Sequence, residues 1–273
     1  MWNADQLALL REAGIAGNSI SAGLAAIRKA NYATPGLYGH AFFSFSVGLE
    51  RMLKLIYIMS YLIENNQYPT DKHLRDLGHN IKVLFDKSKN IQIKYGAPTG
   101  ESSVDAGSIE MHIVDFMSRF AQGSRYYNLD LLVSSKKATS SVDPIKDWFE
   151  SVGIPILQIH LTPKREYKIR RNASIIHEMT NHMSIVNHTA EDGTPLTDVF
   201  SASYQTGVTE IIRKYGTFYA ARLCRYLYYT LWHMRHECHN NKQAVPFLDQ
   251  LFFPFMNDDA YLLSRRTFPP RSQ

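Results

Sequence analysis

The chain has 273 residues, 45% hydrophobic and 20% charged, with 16 Tyr and 14 Phe; that excludes a small stapled scaffold, a disordered chain and a coiled-coil rod. Thirty Lys plus Arg against 25 Asp plus Glu leave a formal charge of +5, which suits an anionic partner without requiring one. Cys224 and Cys238 fall in one helical stretch, about 21 Å apart along its axis, so a disulfide framework is excluded and a reducing cytoplasm is the expected compartment.

In chain order, MWNADQLALLREAG has no basic region leading into a long apolar run and does not read as a secretory signal. An opening helix is expected over Asp5 to Ala30, weakened by Gly14, Gly17 and Gly23, which invite a break. A turn at Ala33 to Gly39 leads into AFFSFSVGLERMLKLIYIMSYLIEN, apolar on more than one face and so expected at the centre of a bundle. Its stretch from Ala41 to Ile63 is long enough to span a bilayer, but Glu50, Arg51 and Lys54 interrupt it, and a buried core helix with no membrane partner is expected. Glu50 and Lys54, four apart, share a stripe.

Thr70 or Asp71 is placed to N-cap a helix over LRDLGHNIKVLFDKSK. Gly96, Pro98 and Gly100 break the pattern before SIEMHIVDFMSRFAQG, an amphipathic helix, and SRYYNLDLLVSSKKATSSVD reads as a long loop. Asp143-Pro144 opens a further helix as N-cap and first helical residue. IPILQIHL alone suggests period-two alternation. Helix is expected again to about Asn187 and, after the turn AEDGTPLTD, from Thr197 through HECHN. The expected fold is therefore all-α, an elaborated bundle in two packed helical halves, 1–140 and 141–273, or one continuous domain.

The motifs GxxxxGK[ST], GxGxxG and GxSxG are absent. Arg75 and His79, at i and i+4, would present a guanidinium and an imidazole to one phosphate from a single helix face. The plainer alternative is a helix-end His satisfied by a carboxylate, with Arg75 solvated. Lys164, Arg165, Lys168, Arg170 and Arg171 form the densest positive run, suited to RNA phosphates with Tyr167 to stack on bases, or else simply a solvated helix face. The cluster LWHMRHECHN offers His233, His236, Cys238 and His239, but no second ligand pair at zinc spacing; a polar end of a core helix is the preferred reading, and no metal or organic cofactor is expected. Arg222 and Arg225 suggest buried or interface ion pairs.

Within the basic run, Arg171-Asn172 is followed by His177. That arrangement resembles the signature of the HEPN superfamily, all-α proteins that include metal-independent endoribonucleases of toxin–antitoxin and phage-defence systems. FSVGLERMLKLIYIMSYLIENNQYPTDKHLRDLGHNIKVLF is similar to the long helix, turn and shorter helix of HEPN-like families, and FAQGSRYYNLDLL, with Arg125, to an Arg-Tyr segment in such proteins. The resemblance implies an RNA-binding homodimer, with its Arg and His motifs paired in a shared cleft, and a partner protein of a defence or toxin–antitoxin system. It also implies that His177 shuttles the ribose 2′-OH proton, Arg171 holds the phosphate and Asn172 orients one of them. On an ideal helix Arg171 and His177 lie about 120° apart, an objection that a helix starting near Asn172 would remove. The helices beyond residue 140 exceed a minimal HEPN bundle. The alternative is a non-catalytic interaction, scaffold or antitoxin module, with His79, His177 and His239 dispersed in the fold.

Overall fold

The structure is a computed structural model describing residues 2–98, 104–135 and 142–269. The fold is all-α, with one two-stranded hairpin, β1 (His188–Thr189) and β2 (Pro195–Leu196), among the described residues. Gly100 and the boundary placed after residue 140 lie outside them.

α1 (Ala4–Ile27) runs unbroken through its glycines. A Cβ on Gly23 would lie 2.6 Å from the Phe45 Cβ, and one on Gly48 of the next helix 2.7 Å from the Ile20 backbone nitrogen. The missing side chains let α1 and α2 (Gly36–Asn65) pack backbone to backbone, which offsets the low helix propensity of glycine. The core face of α2 presents Phe42, whose ring meets Phe116 at 4.7 Å, Trp148 at 5.3 Å and Phe120 at 5.6 Å. That cluster joins α2 to α5 (Ile109–Gln122) and α7 (Pro144–Trp148).

Thr70 caps a helix, as its hydroxyl predicts, but the expected single helix is two: α3 (Asp71–Asp76) and α4 (Ile81–Tyr95). Gly78 takes φ +64°, and the Asn80 side chain caps α4 by accepting from the Val83 N–H at 3.0 Å. The segment read as a long loop contains a 3-10 turn at Ser124–Tyr126 and α6 (Tyr127–Leu132); its residues 136–141 are not among those described.

Asp143 and Pro144 occupy the N-cap and first helical positions as expected. IPILQIHL is helical: α7 continues through a wide π turn at Phe149–Gly153 into α8 (Ile154–His160). Ile156 is fully buried there while Ile154 is exposed, so two residues that a strand would place on one face lie on different sides of the helix. α9 (Pro163–Thr180) then packs on α10 (Val199–Asn240), a single helix about 63 Å long. A 3-10 segment, Leu248–Met256, and α11 (Asp259–Ser264) close the chain over α10 and α1.

One hydrophobic cluster runs from Leu9 to Phe268 and draws on α1, α2, α4, α5 and α10. The arginines of α10 are paired within the chain. Arg225 is 1% exposed and donates to the Asn257 carbonyl at 2.9 Å and to Asp259 at 2.5 Å; Arg235 donates to Asp249 at 2.5 Å; Arg222 lies 3.2 Å from Glu110. No helix is long and apolar enough to cross a membrane among the described residues.

Candidate functional site

Thr162 caps α9 and Pro163 stands in its first turn, where a missing N–H costs nothing. A Cβ on Gly207 of α10 would lie 2.5 Å from the Ile169 side chain, so the two helices touch closely; of α9, only Ala173 is fully buried. The rest of the helix is free to carry polar groups. Lys164, Lys168 and Arg171 fall within about 60° of one another around it. All three are exposed, with no carboxylate partner among the described residues, and Tyr167 beside them is 69% exposed.

The other two cations of the run are engaged. Arg165 donates to the His160 carbonyl at 2.7 Å and the Tyr215 hydroxyl at 3.1 Å, and its guanidinium lies over the Tyr215 ring. Arg170 donates to Glu166 at 2.8 and 3.0 Å and lies over Tyr204. His160 stacks on Tyr215 with ring centroids 3.4 Å apart, and burial, then the charges of Arg165 and Lys214, lower its pKa.

α9 is continuous from Pro163 to Thr180, so no helix start at Asn172 realigns the Arg and His motif. Arg171 and Asn172 face outward, whereas His177 is half-buried, with its ring 6.5 Å from Phe200 and its Nδ1 enclosed without a hydrogen-bond partner. Arg171 and His177 therefore do not converge within the chain.

Arg75 and His79 do not share a helix face either, because α3 ends between them at Asp76. Arg75 pairs with Asp71 at 2.8 Å, and His79 Nδ1 lies 2.9 Å from Glu50. Glu50 also accepts from Lys54 at 2.8 Å. Burial raises the Glu50 pKa, but hydrogen bonds from Lys54 and His79, with their charges, bring the carboxyl below its ordinary value. This Glu50, Lys54 and His79 constellation links residues 29 apart. Its only sequence signal is the Glu50 and Lys54 spacing.

Arg125 lies elsewhere, on the wall of a cleft of about 890 Å³ that also involves Tyr32, Tyr127, Asn128 and His188. Its guanidinium stacks on Phe43 at 4.9 Å, and its Nε is enclosed with no hydrogen-bond partner. The C-terminal cluster disperses. His233 is bonded to the Tyr95 carbonyl and His239 to the Val245 carbonyl, His236 contacts Trp232, and Cys238 is buried, its thiol pushed up to about 12 by desolvation and then by Glu237. No group of three His, Cys, Asp or Glu is arranged to hold a metal ion among the described residues. No family model, curated protein or solved structure matches the chain. The site is therefore read from its own chemistry.

Proposed function

We propose that the protein binds RNA along the outer face of α9. One observation carries the reading: Lys164, Lys168 and Arg171 are aligned, exposed and without a carboxylate partner among the described residues, with Tyr167 beside them. Such a row supplies phosphate contacts that are independent of sequence, and an exposed aromatic ring offers a stacking platform for an unpaired base. The HEPN-like resemblance of Phe45–Phe85 and of Arg171-Asn172 before His177 favours the same ligand.

Metal-independent cleavage belongs to this reading only as the work of two copies. The divergence of Arg171 and His177 on one helix means that one copy's guanidinium would have to meet another's imidazole. The second reading, a non-catalytic helical interaction module, is favoured by the separate carboxylate or carbonyl partners of His79 and His239. The experiment is binding and cleavage of single-stranded RNA at low salt, with sedimentation of the same samples. Binding that fails in the variant K164Q/K168Q/R171Q supports the proposal, and undiminished binding refutes it. Cleavage lost in R171A and H177A but restored by mixing the two would assign the chemistry to a dimer; binding without cleavage would assign the interaction module.

A further inference from the structure

A second cationic site lies apart from α9. On α10, Arg213 is turned about 120° from Gly207, the residue that meets α9. It lines a pocket of about 460 Å³ with Arg28, Lys29, Glu210, Arg266 and Thr267. Three separate parts of the chain build it: the C-terminal end of α1, the middle of α10 and the segment after α11. The last is anchored by Phe268, which is 1% exposed, stacks on Phe255 and accepts a hydrogen bond from the Ser21 hydroxyl through its carbonyl.

The charges in this pocket do not balance. Glu210 bridges Arg28, at 3.1 Å, and Arg213. Lys29 and Arg266 have no acidic partner among the described residues, so four cations face one carboxylate and three positive charges are in excess. The buried carboxylate Glu191 does not line the pocket and has no ion pair with its cations among the described residues; it accepts from Tyr38 at 3.0 Å, Thr209 at 3.0 Å and Gln205 at 2.6 Å. The Nε of Arg213 is enclosed and has no hydrogen-bond partner. Burial, then the charge of Arg266, holds Arg28 below its ordinary pKa, and burial, then Arg28, does so at Arg213. A compact anion in the pocket would offset that repulsion.

We propose that this pocket binds a phosphate group carrying at least two negative charges, such as pyrophosphate or the phosphate end of a nucleotide. Guanidinium forks match phosphate oxygens in pairs, Lys29 adds a point charge, and the Thr267 hydroxyl supplies a further donor. The pocket volume is near the lower end of the range for small-ligand sites, about 300 to 1,000 Å³, which suits a compact ligand. The site uses no residue of the α9 face and does not depend on the RNA reading.

The test is thermal unfolding of the full chain titrated with pyrophosphate, with potassium sulfate at matched ionic strength as control. A ligand bound only by the folded state raises the midpoint with concentration. Pyrophosphate is expected to give a saturable rise that sulfate does not, and R266Q to raise its half-saturating concentration at least tenfold. Arg266 is exposed, so its neutralisation leaves the core intact. K164Q/K168Q/R171Q is expected to keep the full response. Tighter binding of a nucleoside triphosphate would identify a nucleotide as the source, whereas equal binding would identify the phosphates alone; both support the site. A rise equal to that in sulfate, or an R266Q response equal to that of the unaltered chain, overturns it.

Discussion

The salt dependence of RNA binding tests how many cations of α9 are free. For single strands the slope of log affinity against log salt is about −0.7 per phosphate neutralised. Lys164, Lys168 and Arg171 lack carboxylate partners among the described residues, whereas Arg165 and Arg170 are held by Tyr215 and Glu166. Three contacts give a slope of about −2.1, so affinity falls roughly 20-fold between about 50 and 200 mM potassium chloride. Engaging Arg165 and Arg170 as well would steepen the slope to about −3.5 and the loss to on the order of 100-fold. Fluorescence anisotropy of a labelled single-stranded oligoribonucleotide across this range measures the slope directly. K168Q should reduce its magnitude by about 0.7. A slope as steep as the five-cation value, or one that K164Q/K168Q/R171Q leaves unchanged, refutes the argument that three free side chains carry the contact.

Gly48→Ala should destabilise the chain by about 1–3 kcal/mol in urea unfolding, because the new methyl meets the Ile20 backbone; Gly14→Ala, with nothing within 4 Å, should cost nothing. Arg235→Ala should cost about 3–5 kcal/mol by leaving Asp249 buried and unpaired, and Arg235→Met with Asp249→Leu should recover much of it. His160 has a lowered folded-state pKa, so the unfolded chain binds the proton more readily and stability falls as pH drops from its unfolded value near 6.5 through its lower folded value. His160→Gln should flatten the stability profile across that window, and an unchanged profile would show that other groups set it. Chromatography with light scattering tests the homodimer expected from the HEPN resemblance; a monomer at every concentration would leave Arg171 and His177 no shared cleft.

The all-α architecture was legible because apolar spacing and caps are local signals. Thr70 and the Asp143-Pro144 pair mark helix starts by chemistry that acts within one turn. What misled was long-range. Gly23 of α1 looks like a break until Phe45 of α2 shows the close approach it permits, which Gly48 of α2 repeats against Ile20. IPILQIHL alternates in sequence, yet the π turn before it feeds a helix. The spacing of Arg75 and His79 held no trace of the left-handed conformation at Gly78 or of Glu50 waiting on α2. For α9 the basic composition was visible, but the division between free and engaged cations depends on Tyr204, Tyr215 and Glu166.

The first helix is completed by the last part of the chain. Gln6 donates to the Ala244 carbonyl at 2.8 Å, Ser21 bonds to Phe268, and the Leu248–Met256 segment packs against α1. During synthesis, α1 and α2 therefore leave the ribosome long before their cover is made, and they hold apolar surface open while the 182 residues between Asn65 and Leu248 follow. Protection of the nascent chain over that interval, by a chaperone or by provisional pairing of α1 with α2, is built into the order in which the fold must be assembled.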